Sequence, residues 1–520
     1  MILTRSQLAL LIIAASFVFL APLAWFGYIP DLVVGLISVP LALFLPMLCG
    51  LGVIPTSIDE YIERLGVVPA LIMGWLVGMI SMLAIALVMY AADAFTAITF
   101  GLLCVLVAGV GMVRLFFARS LGRILGFRYD NLAVLIGGMV PVLVYRSFTG
   151  FPGSYSVVVF RFNYLAELMI QRNLVDLATG TSYLPMVQLV FAATGTLLGL
   201  DTFVIFWAFP FALSALYALG LYLLFRTFQI EKSVAIVIAV MGPLTLPWNI
   251  HFLYPPLFDV QPRTVAAVLF PYAICFVDKL ADSKDHRENT ANLLIFAFGY
   301  LAIAVPMLLS VHPEISNRLS LVLPVTTVLL AASLLGTFVG RSYGKLRWLW
   351  EASGFLLLGS VLPTLHLFES SFYALAIAVY LLVKISRNLS WSPAKYEILF
   401  GGLTCGYVIL ALAWSSGVES AFATVFPSFT GDYNPLGLVG ALIQTVTIPV
   451  GILAIIGLFA GLTHRSRLMP IRFVFYVLIV IYLLPIVDIV RSGAALIPVV
   501  LMLCASAIGL PWTYRSSEGG

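Results

Sequence analysis

The side chains able to do chemistry in this sequence gather in short segments between long apolar runs. Glu167, Asp176 and Glu314 are carboxylates of the kind that take a proton from an attacking hydroxyl, and His312 titrates near neutral pH and can give or take one. Arg161, Arg263, Arg318 and Arg491 carry guanidinium forks that match phosphate oxygens two at a time, while Asn163 and His251 add neutral hydrogen-bonding groups. Asp259, Glu369, Asp432, Asp488 and His366 complete the set. A base, a proton carrier and a phosphate clamp are the parts needed to move a group from a phosphate leaving group to a hydroxyl. A plainer reading stands beside this one. Arg263, Arg318 and Arg491 end apolar runs, where arginine reaches into lipid headgroups, and His312 before Pro313 suits a helix terminus.

Composition dictates the elements that must hold these residues. Of 520 residues, 62% are hydrophobic and 10% charged, against about 25% charged in a soluble chain. Mean hydropathy is +1.10. No soluble domain buries that much apolar surface, so the sequence predicts an all-α, polytopic transmembrane helix bundle. Apolar runs fall near 7–28, 31–55, 67–91, 94–118, 130–147, 201–225, 232–247, 264–280, 293–311, 319–340, 352–366, 371–384, 398–416, 436–462, 470–487 and 492–511. At roughly 20 residues per crossing, that is about 16 spans. The first run is too long for a signal-peptide core and lacks a clear cleavage site, so it reads as an uncleaved anchor. Met186 to Gly199 is too short for a bilayer and reads as re-entrant or interfacial.

Short loops rich in Lys and Arg stay in the cytoplasm. With Arg5 inside, the basic segments 119–128, 226–232, 279–287, 341–347, 384–395 and 464–472 all fall on that side. The predicted location is the cell membrane, multi-pass, with a cytoplasmic N-terminus. The opposite face collects 147–185, 248–263, 312–318, 366–370, 417–435 and 488–491, and with them three of the five histidines. The net charge of +4 forms no dense basic stripe, which excludes a nucleic-acid partner. Cys49, Cys104, Cys275, Cys405 and Cys504 sit singly in apolar runs and read as small core residues. The phosphate-binding loop of an ATPase, the H-E-x-x-H of a zinc protease and the G-x-S-x-G of a serine hydrolase are all missing, and no metal-ligand spacing occurs. The sequence thus names no metal ligands, and a divalent cation stays open as a cofactor.

Within the longest outer segment, F-R-F-N-Y-L-A-E-L-M-I-Q-R-N from Phe160 places Phe162, Leu165, Leu168 and Met169 at helical spacing, with Arg161, Glu167, Gln171 and Arg172 on other faces. This predicts an amphipathic helix lying on the membrane surface. T-S-Y-L-P and A-A-T-G-T-L-L-G-L-D follow, and W-N-I-H-F-L-Y-P-P, H-P-E-I-S-N-R and D-I-V-R-S-G-A-A-L-I-P come later. In this order the chain resembles divergent, archaeal-like GT-C glycosyltransferases, which use polyprenyl-phosphate sugars, across about residues 130–511. The resemblance implies a GT-C-like fold with an extra N-terminal four-helix bundle. Its divisions are an N-terminal bundle at 1–129, a core at 130–340 with the outer loop 147–185, and a C-terminal bundle at 341–520. It further implies transfer of a sugar from a lipid-phosphate donor to an acceptor on the extracytoplasmic face, with membrane lipid, the donor and other membrane proteins as partners. The implied catalytic residues are Glu167, Asp176, Glu314 and His312; Arg161, Asn163, His251, Arg263, Arg318 and Arg491 would bind substrate. One departure is plain: the family opens its first outer loop with an acid, and residues 148–161 contain none. Two other readings fit the composition. A secondary transporter or lipid flippase would hold Glu231, Asp278 or Glu351 in a central cavity, and an inactive GT-C-like scaffold subunit would need no base.

Overall fold

The structure is a computed structural model that describes residues 4–26, 31–54, 57–125, 129–149, 163–164, 166–167, 169–171, 186–245, 262–281, 286–309, 325, 328–329, 332–333, 336, 348–365, 367–387, 397–406, 448–463, 468–482 and 495–508. Among the described residues every regular element is a helix, the form in which an apolar chain pairs its own amides and carbonyls without water. The N-terminal helices are α1 (Arg5–Trp25), α2 (Asp31–Val53), α3 (Ile58–Leu65), α4 (Val67–Ala91), α5 (Ala97–Phe116), α6 (Leu121–Leu125) and α7 (Tyr129–Thr149). Next come α8 (Met186–Leu198), α9 (Thr202–Thr227), α10 (Lys232–Met241), α11 (Pro262–Leu280), α12 (His286–Leu309), α13 (Trp348–Leu365) and α14 (Leu367–Arg387). The last four are α15 (Glu397–Gly406), α16 (Ile448–Thr463), α17 (Met469–Tyr482) and α18 (Ala495–Ile508). Val33–Val53, Val67–Ala91, Ala97–Phe116, Thr202–Thr227 and Arg287–Met307 are long and apolar enough to cross a bilayer. The chain is a helical, multi-pass membrane protein.

Apolar side chains turned outward mark the faces that lipid covers. On α5 they form one stripe, Ile98, Leu102, Leu106, Val110 and Val113, and on α12 another, Leu294, Phe298, Leu301 and Val305. A spacing of three and four residues keeps each stripe on one side of its helix.

Close backbone approach holds the first half together. A Cβ added at Gly78 would lie 1.6 Å from the carbonyl oxygen of Pro46, one at Gly50 1.8 Å from that of Gly74, and one at Gly111 1.9 Å from that of Leu48. Helix α2 is thus gripped by α4 on one side and α5 on the other, at distances that only a hydrogen in place of a side chain permits. Arg114 near the end of α5 closes the same joint. Its Nη1 donates to the carbonyls of Leu51 at 2.6 Å, of Gly52 at 3.3 Å and of Ile54, covering the last orphan acceptors of α2.

Helix α8 departs from one of its two predicted readings. Thirteen residues reach only about 20 Å, and α1, α2, α4, α5 and α9 pack around it. Gln188, Leu189, Phe191, Ala193 and Thr194 are fully buried. It lies enclosed by protein and not at a lipid interface, the setting in which a short intramembrane segment is tolerated.

Candidate functional site

Two of the predicted site residues, Asn163 and Glu167, meet at the joint between α8 and α9. Gly199, at φ 64°, ends α8 in the left-handed region, and Leu200 N donates back to the Gly195 carbonyl at 2.9 Å. Asp201 then caps α9, its Oδ1 accepting from Phe203 N at 2.7 Å. The L-G-L-D string therefore has a complete local explanation as a helix stop followed by a helix start.

The helix that carries Asn163 and Glu167 docks on this joint. Asn163, Tyr164, Ala166, Glu167, Met169, Ile170 and Gln171 are helical. Ala166 and Met169 are fully buried while Tyr164 is 58% exposed; of the predicted apolar face only Met169 is described, Phe162, Leu165 and Leu168 lying outside the described residues. Glu167 Oε1 accepts from Thr202 N at 2.9 Å and from Thr202 Oγ1 at 2.5 Å, and Glu167 Oε2 accepts from Gln171 Nε2 at 3.1 Å. The side-chain amide of Asn163 meets the same hydroxyl at 2.6 Å. One hydroxyl has one proton, so Thr202 serves a single acceptor at a time; with that proton on Glu167, the Asn163 amide turned to present its nitrogen completes the network. A carboxylate at the first turn of α9 also sits where the helix dipole favours negative charge.

Two of the ten predicted residues, Asn163 and Glu167, are thereby brought together. Arg263 stands in the first turn of α11, its side chain outside the described residues. Arg161, Asp176, His251, His312, Glu314, Arg318 and Arg491 also lie outside them, as does His366. Among the described residues no group of three His, Cys, Asp or Glu side chains is placed to hold a metal ion. Cys49, Cys104, Cys275 and Cys504 are buried and Cys405 is exposed, all as free thiols.

The other charged groups pair near helix ends. Lys384 of α14 bridges to Asp278 of α11 at 2.6 Å, and Tyr380 donates to the same carboxylate. Lys232 pairs with Asp130 at 2.8 Å, and Arg472 of α17 makes a buried pair with Glu397 of α15, Nη2 to Oε2 at 2.9 Å. Asp59 of α3 accepts from Arg119 N at 3.0 Å and Ser120 N at 2.6 Å. Burial works against its charged form, yet the Ser120 side chain, the two amides and the Arg119 charge outweigh that and hold its carboxyl below the usual range. Glu231 caps α10 at the exposed surface, accepting from Val234 N at 3.0 Å, and the hydrogen bonds from Ser233 and the helix amides lower its carboxyl.

Residues whose sequence pattern marks only sidedness also share a cavity. Arg123, Arg226 and Lys279 come from three of the basic segments and line one void of about 560 Å³ at the end of α9 opposite Thr202. No protein-family model matches the chain, and no curated protein or solved structure matches it.

Proposed function

We propose that this protein is a GT-C-like membrane glycosyltransferase of about 16 spans, with its N-terminus in the cytoplasm. It moves a sugar from a polyprenyl-phosphate donor to an acceptor on the extracytoplasmic face. The observation that carries the reading is the docking of Asn163 and Glu167 on Thr202. It folds the helix that carries them onto the start of α9 and brings together one residue to which the resemblance gives a catalytic role and one to which it gives substrate binding. The pairing of Asp278 with Lys384 and the surface capping by Glu231 support this over a transporter, whose substrate path needs polar groups within the bilayer.

Both oxygens of Glu167 are committed to Thr202 and Gln171, so it acts as a positioning residue and the base falls to Asp176 or Glu314. A second reading, an inactive scaffold subunit, draws on the same commitment together with the acid-free stretch 148–161. Consumption of a radiolabelled polyprenyl-phosphate hexose by membranes carrying the full chain separates the two. An active enzyme loses about 10²- to 10⁴-fold in Asp176→Asn or Glu314→Gln, and far less in Glu167→Gln, which keeps an acceptor oxygen for Thr202. Full turnover in both of the first two variants removes the base assignment, and no consumption by the unaltered chain selects the scaffold.

A further inference from the structure

We propose that the cavity at the C-terminal end of α9 binds the phosphate of an anionic lipid headgroup, on the face that carries the basic segments. This site lies at the opposite end of α9 from the outer-loop joint and does not rest on the glycosyltransferase reading.

Three features carry it. First, Arg123 of α6, Arg226 of α9 and Lys279 of α11 come from distant parts of the sequence and line one void of about 560 Å³, within the usual range for small-ligand sites. Among the described residues that line it there is no carboxylate, and Asn131 and Thr227 add neutral polar groups. Arg123 and Arg226 place two positive charges on this common void, which draws an anion into it. Second, the cations are held in place by local structure. Arg226 Nη1 donates to the Ile230 carbonyl at 2.6 Å, and Lys279 Nζ lies 2.9 Å from where a Cβ would stand on Gly66, whose φ of 83° turns α3 into α4. Arg226 and Lys279 also complement the negative ends of their own helices. Arg123 stands in the last turn of a helix of only five residues and is exposed.

Third, the mouth adjoins a lipid-facing surface. Asn131 belongs to α7, whose next turns expose Leu132, Ile136, Met139 and Leu143 as one apolar stripe. A headgroup phosphate in the cavity would leave its acyl chains along that stripe, which a free phosphate ion would not use. Basic pockets between membrane helices recognise anionic lipids in this way.

The test uses the full chain in phosphatidylcholine nanodiscs doped with dioleoyl phosphatidic acid, with retained lipid read by native mass spectrometry. The unaltered protein is expected to retain phosphatidic acid over phosphatidylcholine. An Arg123→Gln/Lys279→Gln double variant should lose it by about tenfold or more, since charge-assisted hydrogen bonds are the strong ones. Thr227→Phe, which fills the void without altering charge, should lose it as well. Lys232→Gln, a cation of the same face paired with Asp130 outside the cavity, should retain it. Equal retention in the double variant overturns the proposal, as does an equal loss in Lys232→Gln, which would mark general surface charge. Soluble lysophosphatidic acid should compete far better than inorganic phosphate, and equal competition would overturn the lipid assignment in favour of a free-anion site. Arg123→Gln alone, at an exposed position, provides a variant that keeps the fold if the double variant does not.

Discussion

The two ends of α9 meet charge in opposite ways. At its start, an acid and an amide from a separate helix close on Thr202, and every named group has a partner within hydrogen-bond reach. At its finish, three cations surround a void. The helix dipole favours both signs where they stand, negative at the start and positive at the finish. Sign alone therefore does not separate a structural charge from a binding charge. The difference lies in volume: the first end is filled by protein, and the second leaves room for a ligand.

The strongest way to break this comparison is to remove the frame that holds both ends. Gly78→Leu would drive a side chain into the Pro46 carbonyl and force α2, which also packs on α9, away from α4. A loss of about 3 kcal/mol or more is expected, read as failure to recover monodisperse protein. A Gly78→Leu protein that melts like the unaltered chain would show that the frame does not depend on this contact.

A smaller change sharpens the contrast. Glu167→Ala should destabilise by about 1–2 kcal/mol, as loss of a helix cap does, and Thr202→Val should couple to it instead of adding. The matching change at the other end, Arg123→Gln, should stay within about 0.5 kcal/mol. Thermal unfolding in detergent measures both, and equal costs at the two ends would erase the distinction.

The smallest expected effect concerns pH. Asp59 has a lowered carboxyl in the folded protein, so its contribution is present above the unfolded value of about 3.9 and is lost as pH falls through the lower folded one. Asp59→Asn should flatten that part of the acid limb. An unchanged acid profile would detach the contact of Asp59 with Arg119 and Ser120 from stability.

Hydropathy made the helices legible, because in an apolar chain a charge or a Pro/Gly cluster is nearly the only event that ends one. The run 67–91 is α4 residue for residue, and 201–225 differs from Thr202–Thr227 by two residues at most. Length misled where it stood in for environment. The segment 186–199 is too short to cross lipid, which points to a re-entrant or interfacial place, yet its neighbours enclose it. The partner of Glu167 lies 35 residues away, a tertiary fact that no spacing rule reports. Arg123, Arg226 and Lys279 were visible as basic residues, but the rule that keeps such residues in the cytoplasm accounted for them fully and gave no reason to place them around one void.

The enclosure of α8 bears on how the chain enters a membrane. Helices α1, α2, α4 and α5, which shelter it, are all made before it, and α9, which shuts the remaining side, is made directly after it. Synthesis thus delivers the berth ahead of the segment that needs it. A permuted chain that began at α8 would present thirteen residues, with Gln188 and Thr194 among them, to bare lipid. Insertion of such a chain should stall until the N-terminal helices arrive, whereas the natural order needs no waiting step.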